Sequence, residues 1–484
     1  MKTRTILFEK GTYEEYLSNK TDNDKGIFVT PDTMFVFGIP FMVDEENNAK
    51  KYAYGIKWTN TADGMKSPER VGNMDLHRSL PIQSAMKGCI WNRTDGIKYY
   101  LDADNWSLKA DGTTADLSGT DGDVMVHVPK FYIRYVVDGT TCEVWISQYK
   151  ITDAWIESPE MVIAAFKGML KDNKFRSIVD LKLRGGNKTS TFDTKHWSAS
   201  TMSKCTTNMA REKIRTACRN NGTELMCYEY RKNVMYWLPV IEYCNFNSQD
   251  DFYDELDENG YHQGMLGVGI VNNSNWNSWN NYNPIIPNGF GIGTLTTSLN
   301  ADFDNTHKGN TSFATPITFS QLGWSTEDTK QTITSYRGLF EPFGDVMEFI
   351  DGVICRGDKV YATTDVSKFS TLESHSNSTY DWVSQGGLTL IGTRPTTIGY
   401  GINLYSDSTN QLIELIPGSV SSTILNAGTY DRYSSYKMDN NIDYVIVIGG
   451  GANHNKNAGL AFLDTSNTFQ YSGATVGGRS YQLL

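Results

Sequence analysis

This chain has little of what most enzymes and nucleic-acid binders are built around. Histidine occurs at 77, 127, 196, 262, 307, 375 and 454, never as HExxH and never as a pair at metal-ligand spacing, so no zinc-hydrolase helix is encoded. There is no GxSxG elbow, no phosphate-binding loop and no GxGxxG opening a helix. Gly264, Gly267 and Gly269 form a glycine-rich run, but it follows a turn rather than a buried strand. The cysteines, at 89, 142, 205, 218, 227, 244 and 355, are odd in number, widely spaced and without CxxC. That argues against a disulfide framework or zinc knuckle and fits reduced, mostly buried thiols made in a cytoplasm. Charged residues are only 20% and the formal net charge is −11, which argues against a nucleic-acid partner, since neutralising phosphates takes clustered Lys and Arg. No stretch of about 18 apolar residues is present for a membrane span, and the opening MKTRTILFEKGTYEEY does not read as a signal peptide. The acidic pairs Asp22/Asp24, Asp102/Asp104 and Asp302/Asp304 do not complete a calcium loop and read as solvated turns. No metal, cofactor or membrane insertion is expected.

What the chain does have is aromatics, at 12% with 27 Tyr, and 43 Gly. This favours short strands joined by Gly/Asn/Asp turns, with a minority of helices: an α+β, strand-rich fold. At 484 residues the chain can hold two to four domains, or one large irregular domain with appendages. Residues 1–48 read as a small module and linker. Thr12 and Glu15 form a capping box for a helix near 12–17, strands follow at 27–30 and 34–39, and the hydrophilic 44–51 reads as a linker. A helix and hairpin of this size bury too little to be stable alone, so the module is expected to trimerise or to attach to a partner. Residues 49–150 alternate as strands at 53–58, 96–101, 124–128, 130–137 and 142–146. The best helix candidates are 154–172 and 205–220, and 444–448 is a continuous apolar strand. Residues 151–484 form the remaining unit.

Two stretches carry candidate binding residues. The apolar Tyr236, Trp237, Leu238, Val240 and Ile241 carry a turn or two of buried structure, and VNNSNWNSWNNY follows at 271–282. Asn and Ser disfavour element interiors, so Trp276, Trp279 and Tyr282 either form a recognition surface or cap the domain's own core. Near the end, Gly449–Gly451 precedes Asn453, His454 and Asn455, and Tyr471 lies in a later polar loop. These segments are either plain solvated turns or a ligand-facing surface on a rigid scaffold.

The segment RGLFEPFGDVMEFIDG at 337–352 resembles the signature of the C-type-lectin-like fold in its formylglycine-generating-enzyme branch. That branch includes the variable proteins of diversity-generating retroelements and the tip domains of phage fibres. Gly449-Gly450, Ala458-Gly459-Leu460 and Gly478-Arg479 look like the end of that domain. The segments LHRSLPIQ (76–83), LSGTDG (117–122), VPKF (128–131) and NGYHQG (259–264) are similar to fibre proteins of crAss-like phages of gut Bacteroidales, and GTYEEY (11–16) with IFVT (27–30) to the module that begins many phage fibres. The resemblance implies a C-type-lectin-like domain with insertions behind a helix–hairpin fibre module, on the virion surface, as a head or tail fibre. It implies a homotrimer that contacts other virion structural proteins through residues 1–48 and adheres to host cell-surface glycan or protein without catalysis. A formylglycine-generating enzyme needs two reactive Cys near its end, and here only Cys355 lies in the later part of the chain. A calcium-dependent lectin shows Glu-Pro-Asn or Trp-Asn-Asp at its sugar site, and Glu341-Pro342 is followed by Phe343. The alternatives are a retroelement-diversified, protein-binding lectin-fold protein, which the Asn-rich 453–457 fits because adenine-rich codons encode Asn, and a glycan-active enzyme. The implied binding residues are Trp276, Trp279, Tyr282, Asn453, His454, Asn455 and Tyr471. Within 337–352, Phe343, Val346 and Phe349 are expected to be buried, with Gly344 in a conformation other residues resist.

Overall fold

The structure, a computed structural model, describes residues 45–179, 209–271, 332–372, 387–422, 443–473 and 475–484, with short strands at 27–29, 34–36, 39–41, 310–312 and 432–434. It is strand-rich, with several antiparallel sheets. Sheet A runs in the order Ile156–Ser158, Phe131–Asp138, Thr141–Ser147, Ala53–Thr61, Gly64–Met65, with Glu69–Gly72 also paired to Ala53–Thr61. Its alternation follows the sequence pattern. Phe131, Ile133, Tyr135 and Val137 are buried, and the residues between them turn to the other face. Sheet B runs Glu224–Leu225, Ser480–Leu483, Met161–Ala164, Asp123–Val128, Lys87–Asn92, Gly96–Tyr100. The nine-stranded sheet C centres on Met347–Arg356, paired with Asp443–Ile448, which pairs in turn with Leu463–Thr468. Strands from both sides of residue 150 share sheets A and B, and one hydrophobic cluster runs from Tyr54 to Tyr481.

Helices thread between the sheets. The segment Tyr228–Lys232, Asn233–Trp237, Leu238–Tyr243 is buried on every side at Val234, Met235, Trp237, Leu238, Val240 and Ile241. Its middle stretch is a π-turn. Pro239 has no N–H to give to the turn before it, and the backbone widens just ahead of it. Trp237 packs on Trp58 of sheet A, ring centroids 5.8 Å apart. Among the described residues no helix is long and apolar enough to cross a membrane.

Two expectations are corrected. Residues 154–172 are not a helix: Ile156–Ser158, Met161–Ala164 and Met169–Lys171 are strands. The apolar residues there serve sheets A and B, and Pro159 and Gly168 interrupt any helical run. Residues 44–51 are not a loose linker, because Glu45–Tyr52 is a helix, here α1, whose Ala49 and Tyr52 pack with Trp155 and Trp145 on the outer face of sheet A. The second helix candidate is confirmed at Arg211–Asn220. The strands expected at 53–58, 96–101, 124–128, 130–137, 142–146 and 444–448 all form. The helix expected at 12–17 lies outside the described residues.

His77 sits inside this core, its Nε2 3.0 Å from the Val71 carbonyl and its ring edge-on to Tyr54 at 5.3 Å. Burial, with Arg70 nearby, pushes its pKa down to about 4. The unfolded chain therefore takes up a proton between about pH 6.5 and 4 that the folded chain refuses, so stability is present above the unfolded pKa and falls as pH drops through this window. Urea unfolding is expected to lose about 2 to 3 kcal/mol on going from about pH 7 to 4.5 through this residue, at about 1.36 kcal/mol per pKa unit. A His77→Gln variant should lack that component of the pH dependence, and an identical pH profile would refute it.

Candidate functional site

The site is built on residues 337–352, which fold as scaffold. Arg337 makes a two-pronged contact to Glu242 at 2.7 and 2.8 Å, and the Tyr336 hydroxyl donates to the same carboxylate at 2.9 Å. Burial raises the Glu242 carboxyl, but the Arg337 charge and hydrogen bonds, with His262 and the Tyr336 hydroxyl, together hold it below its ordinary range. Lys167 Nζ donates to the carbonyls of Gly344 (2.6 Å) and Val346 (2.5 Å). Arg479 donates to Glu348 at 3.0 Å and to the carbonyls of Ala164, Ala165 and Phe340. Arg215 forks onto Asp351. Phe343, Val346 and Phe349 are buried and Gly344 has φ +76°, as expected. A Cβ at Gly344 would lie 2.7 Å from the Ile270 carbonyl, so the backbone approach there leaves no room for a side chain.

The sequence motifs touch one another in a chain. Arg78 donates to the Asn259 carbonyl, and Arg70 and Arg78 both lie over the Tyr261 ring. His262 Nε2 lies 3.9 Å from Glu242, Glu242 holds Arg337, and the Gly344 N–H reaches the Gly449 carbonyl at 3.1 Å. Segments as far apart as Arg78 and Gly449 are thus linked contact by contact through one buried ionic centre, the Glu242–Arg337 pair.

From that centre two loop feet are held together. The Asp345 N–H donates to the Ile270 carbonyl, and the Ala452 N–H to the Asp345 carbonyl. Beyond them, the Asn455 N–H donates to the Val271 carbonyl at 2.7 Å. Gln249 Nε2 donates to the carbonyls of Asn455 (2.8 Å) and Ala458 (2.7 Å), and the Leu460 N–H to Ser248 Oγ. His454 Nδ1 accepts the Gly451 N–H at 2.7 Å, which puts the neutral ring's proton on Nε2. Its ring lies 4.9 Å from that of Phe462. Asn455 has φ +52°, a conformation Asn tolerates better than most residues. Asn455 and Lys456 are exposed. Asn453 Oδ1 is buried with no hydrogen-bond partner among the described residues. This is a rigid turn offering amide, imidazole and ammonium groups, suited to hydrogen bonding hydroxyls.

Asn453, His454 and Asn455 are consecutive residues of this one turn, Asn453 and His454 half-buried and Asn455 exposed. Tyr471 is not part of the turn. It follows the far end of Leu463–Thr468, half-buried and edge-on to Phe349 at 6.1 Å, because the chain folds back there to pack the second hydrophobic cluster. Trp276, Trp279 and Tyr282 lie outside the described residues; Trp276 is five positions past Val271 in the sequence. The sequence reading missed Ser248 and Gln249, which carry no signal beyond an ordinary Asn/Ser turn. The Asp102 carboxylate accepts the N–H groups of Asp104 and Asn105, the geometry of a turn.

No family profile and no curated protein matches this chain. Two solved structures are weak structural neighbours. The Major Tropism Determinant U1 variant aligns over 99% of both chains at 12% identity with a TM-score of 0.20. The M1 variant aligns over 99% of both chains at 11% identity with a TM-score of 0.19. Likeness this slight establishes neither fold nor function.

Proposed function

We propose that this chain is a receptor-binding protein of a phage particle, displayed on the virion surface, that adheres to glycan on the bacterial host through the Asn453–Asn455 turn and carries out no bond-breaking step. Residues 1–48 would trimerise it and attach it to other virion proteins. One observation carries the reading. The segments that resemble the lectin-like fold form the buried ionic centre, and the polar turn stands out from that centre on fixed tethers. Asn amides suit sugar hydroxyls, and the sequence that continues from Val271 contains the aromatic residues Trp276, Trp279 and Tyr282, residue types that stack on sugar rings.

The test is competition. The purified chain should block phage adsorption to host cells. Asn455→Ala combined with Lys456→Ala should weaken that block about ten-fold, equivalent to about 1.4 kcal/mol, and leave the melting temperature nearly unchanged. Trp279→Ala should do the same. Full blocking by folded variants of both kinds would remove the turn and the Trp tract from the binding surface.

A further inference from the structure

Beside the Glu242–Arg337 pair, residues 337–352 bury a second ionic cluster. It gathers three carboxyl groups, Glu341, Asp345 and Glu348, around two cations, Lys167 and Arg479. The cations come from elsewhere in the chain. Lys167 lies between Met161–Ala164 and Met169–Lys171, and Arg479 just before Ser480–Leu483. Arg231 of Tyr228–Lys232 faces the same segment, where its guanidinium donates to the Pro342 carbonyl, and Arg337 is committed to Glu242. With every group ionised, three anions would face two cations. An uncompensated buried charge is unfavourable, so the cluster balances when one carboxyl keeps its proton.

Glu341 is the carboxyl placed to keep it. At 9% exposure it is the least buried of the five groups, so protons from solvent reach it most readily. Its Oε1 has no hydrogen-bond partner among the described residues, whereas Glu348 is paired with Arg479 at 3.0 Å. Burial pushes the Glu341 carboxyl up to about 7, against the pull of Lys167 and Arg479. The backbone here is strained. Glu341 has φ +48° and Asp345 φ +51°, left-handed values that are uncommon outside glycine and persist only where the surroundings enforce them. Lys167 supplies that support by holding the carbonyls of Gly344 and Val346, on either side of Asp345. Asp345 in turn carries both loop feet, through the Ile270 carbonyl and the Ala452 N–H.

We propose that this cluster is a proton-operated latch on the Asn453–Asn455 turn. With Glu341 protonated, Lys167 stays on the Gly344 and Val346 carbonyls and the loop feet are held. When Glu341 ionises, its carboxylate competes for the Lys167 ammonium. The strained 341–346 segment is then released, and the tethers to Ile270 and Ala452 open more often. The closed latch keeps a proton that the open one, with Glu341 in water, gives up above about pH 4.5. Closure is therefore fully favoured below that pH, loses ground as pH rises to about 7, and changes no further above it. As a control on adhesion the latch rests on the turn reading; as a backbone motion it does not.

The experiment follows hydrogen–deuterium exchange of the full chain by mass spectrometry at about pH 5.5 and about pH 7.5, each rate divided by the intrinsic rate at that pH. One proton shifts an opening equilibrium by at most about ten-fold per pH unit. Protection of residues 344–348 and 451–460 is expected to be about ten-fold lower at the higher pH, while that of Phe131–Asp138 in sheet A does not change. Glu341→Gln keeps the shape of the protonated group and cannot ionise, so its protection should be equal at the two pH values. Glu348→Gln removes the excess negative charge by another route and should also abolish the fall. It decides the matter if Glu341→Gln fails to fold. Equal protection at both pH values in the parent chain, or the same fall in either folded variant, overturns the latch. If the fall is present and both variants abolish it, while the Asn455→Ala, Lys456→Ala chain still blocks adsorption fully, the latch stands and only the turn's part in adhesion is lost.

Discussion

Replacing Arg479 by Met is expected to destabilise the protein by about 3 to 5 kcal/mol, the range found when one partner of a buried ion pair is removed. Arg479 is fully buried. Its loss removes the ion pair to Glu348 and the guanidinium hydrogen bonds to the carbonyls of Ala164, Ala165 and Phe340, of which Ala165 keeps the Phe340 N–H. Glu348 Oε2 already has no hydrogen-bond partner among the described residues, and the Lys167 charge that also acts on this carboxylate is itself held by the Gly344 and Val346 carbonyls. The double variant Arg479→Met, Glu348→Gln should recover part of the loss, since it removes the stranded charge. Chemical denaturation of the two variants reads this directly. An unchanged unfolding midpoint for Arg479→Met would show that the ionic centre contributes nothing to stability.

Phe349→Ala is expected to cost about 3 to 5 kcal/mol as a large-to-small change at a fully buried ring. Phe349 is 0% exposed in the cluster formed with Val447, Phe462, Phe469 and Val476. Its strand neighbour Ile350 faces the opposite cluster, so sheet C is packed on both sides and cannot relax far to fill the gap. Thermal melting is the measurement, and a melting temperature within error of the parent would contradict the burial.

Period and turn chemistry made much of this legible in advance. Phe131 to Asp138 reads as a half-buried strand because its apolar residues fall on every second position, and Val445 to Ile448 reads as buried because it is apolar throughout. The 154–172 stretch failed because a short apolar run looks alike in a helix and in a strand, and only pairing with distant partners such as Asp123–Val128 decides it. That error also hid Trp155, which the structure buries with Ala53 and Ile151 rather than on a helix face. The buried cations Lys167, Arg215, Arg231 and Arg479 were invisible for a different reason. A Lys or Arg in a sequence is read as solvated, and only the assembled fold supplies the carboxylates and carbonyls that let it be buried. The candidate site was half legible. Asn453, His454 and Asn455 stood out by composition, but what holds them, Gln249 and Val271, is some 200 positions away. Tyr471 looked equivalent to them only because both segments are polar.

The turn's fastenings have a consequence for how this protein changes over generations. The atoms that fix it are the Asn455 N–H and carbonyl, the Ala458 carbonyl, the Gly451 N–H and the Leu460 N–H. All belong to the main chain, and of the side chains that clamp them, Ser248, Gln249 and His454, only His454 comes from the turn itself. Lys456 can therefore be exchanged for other residues without loosening the frame, and Asn455 for any residue that accepts its backbone angle. On the adhesion reading proposed above, mutation at those positions would change the chemistry the turn offers while its backbone geometry is kept.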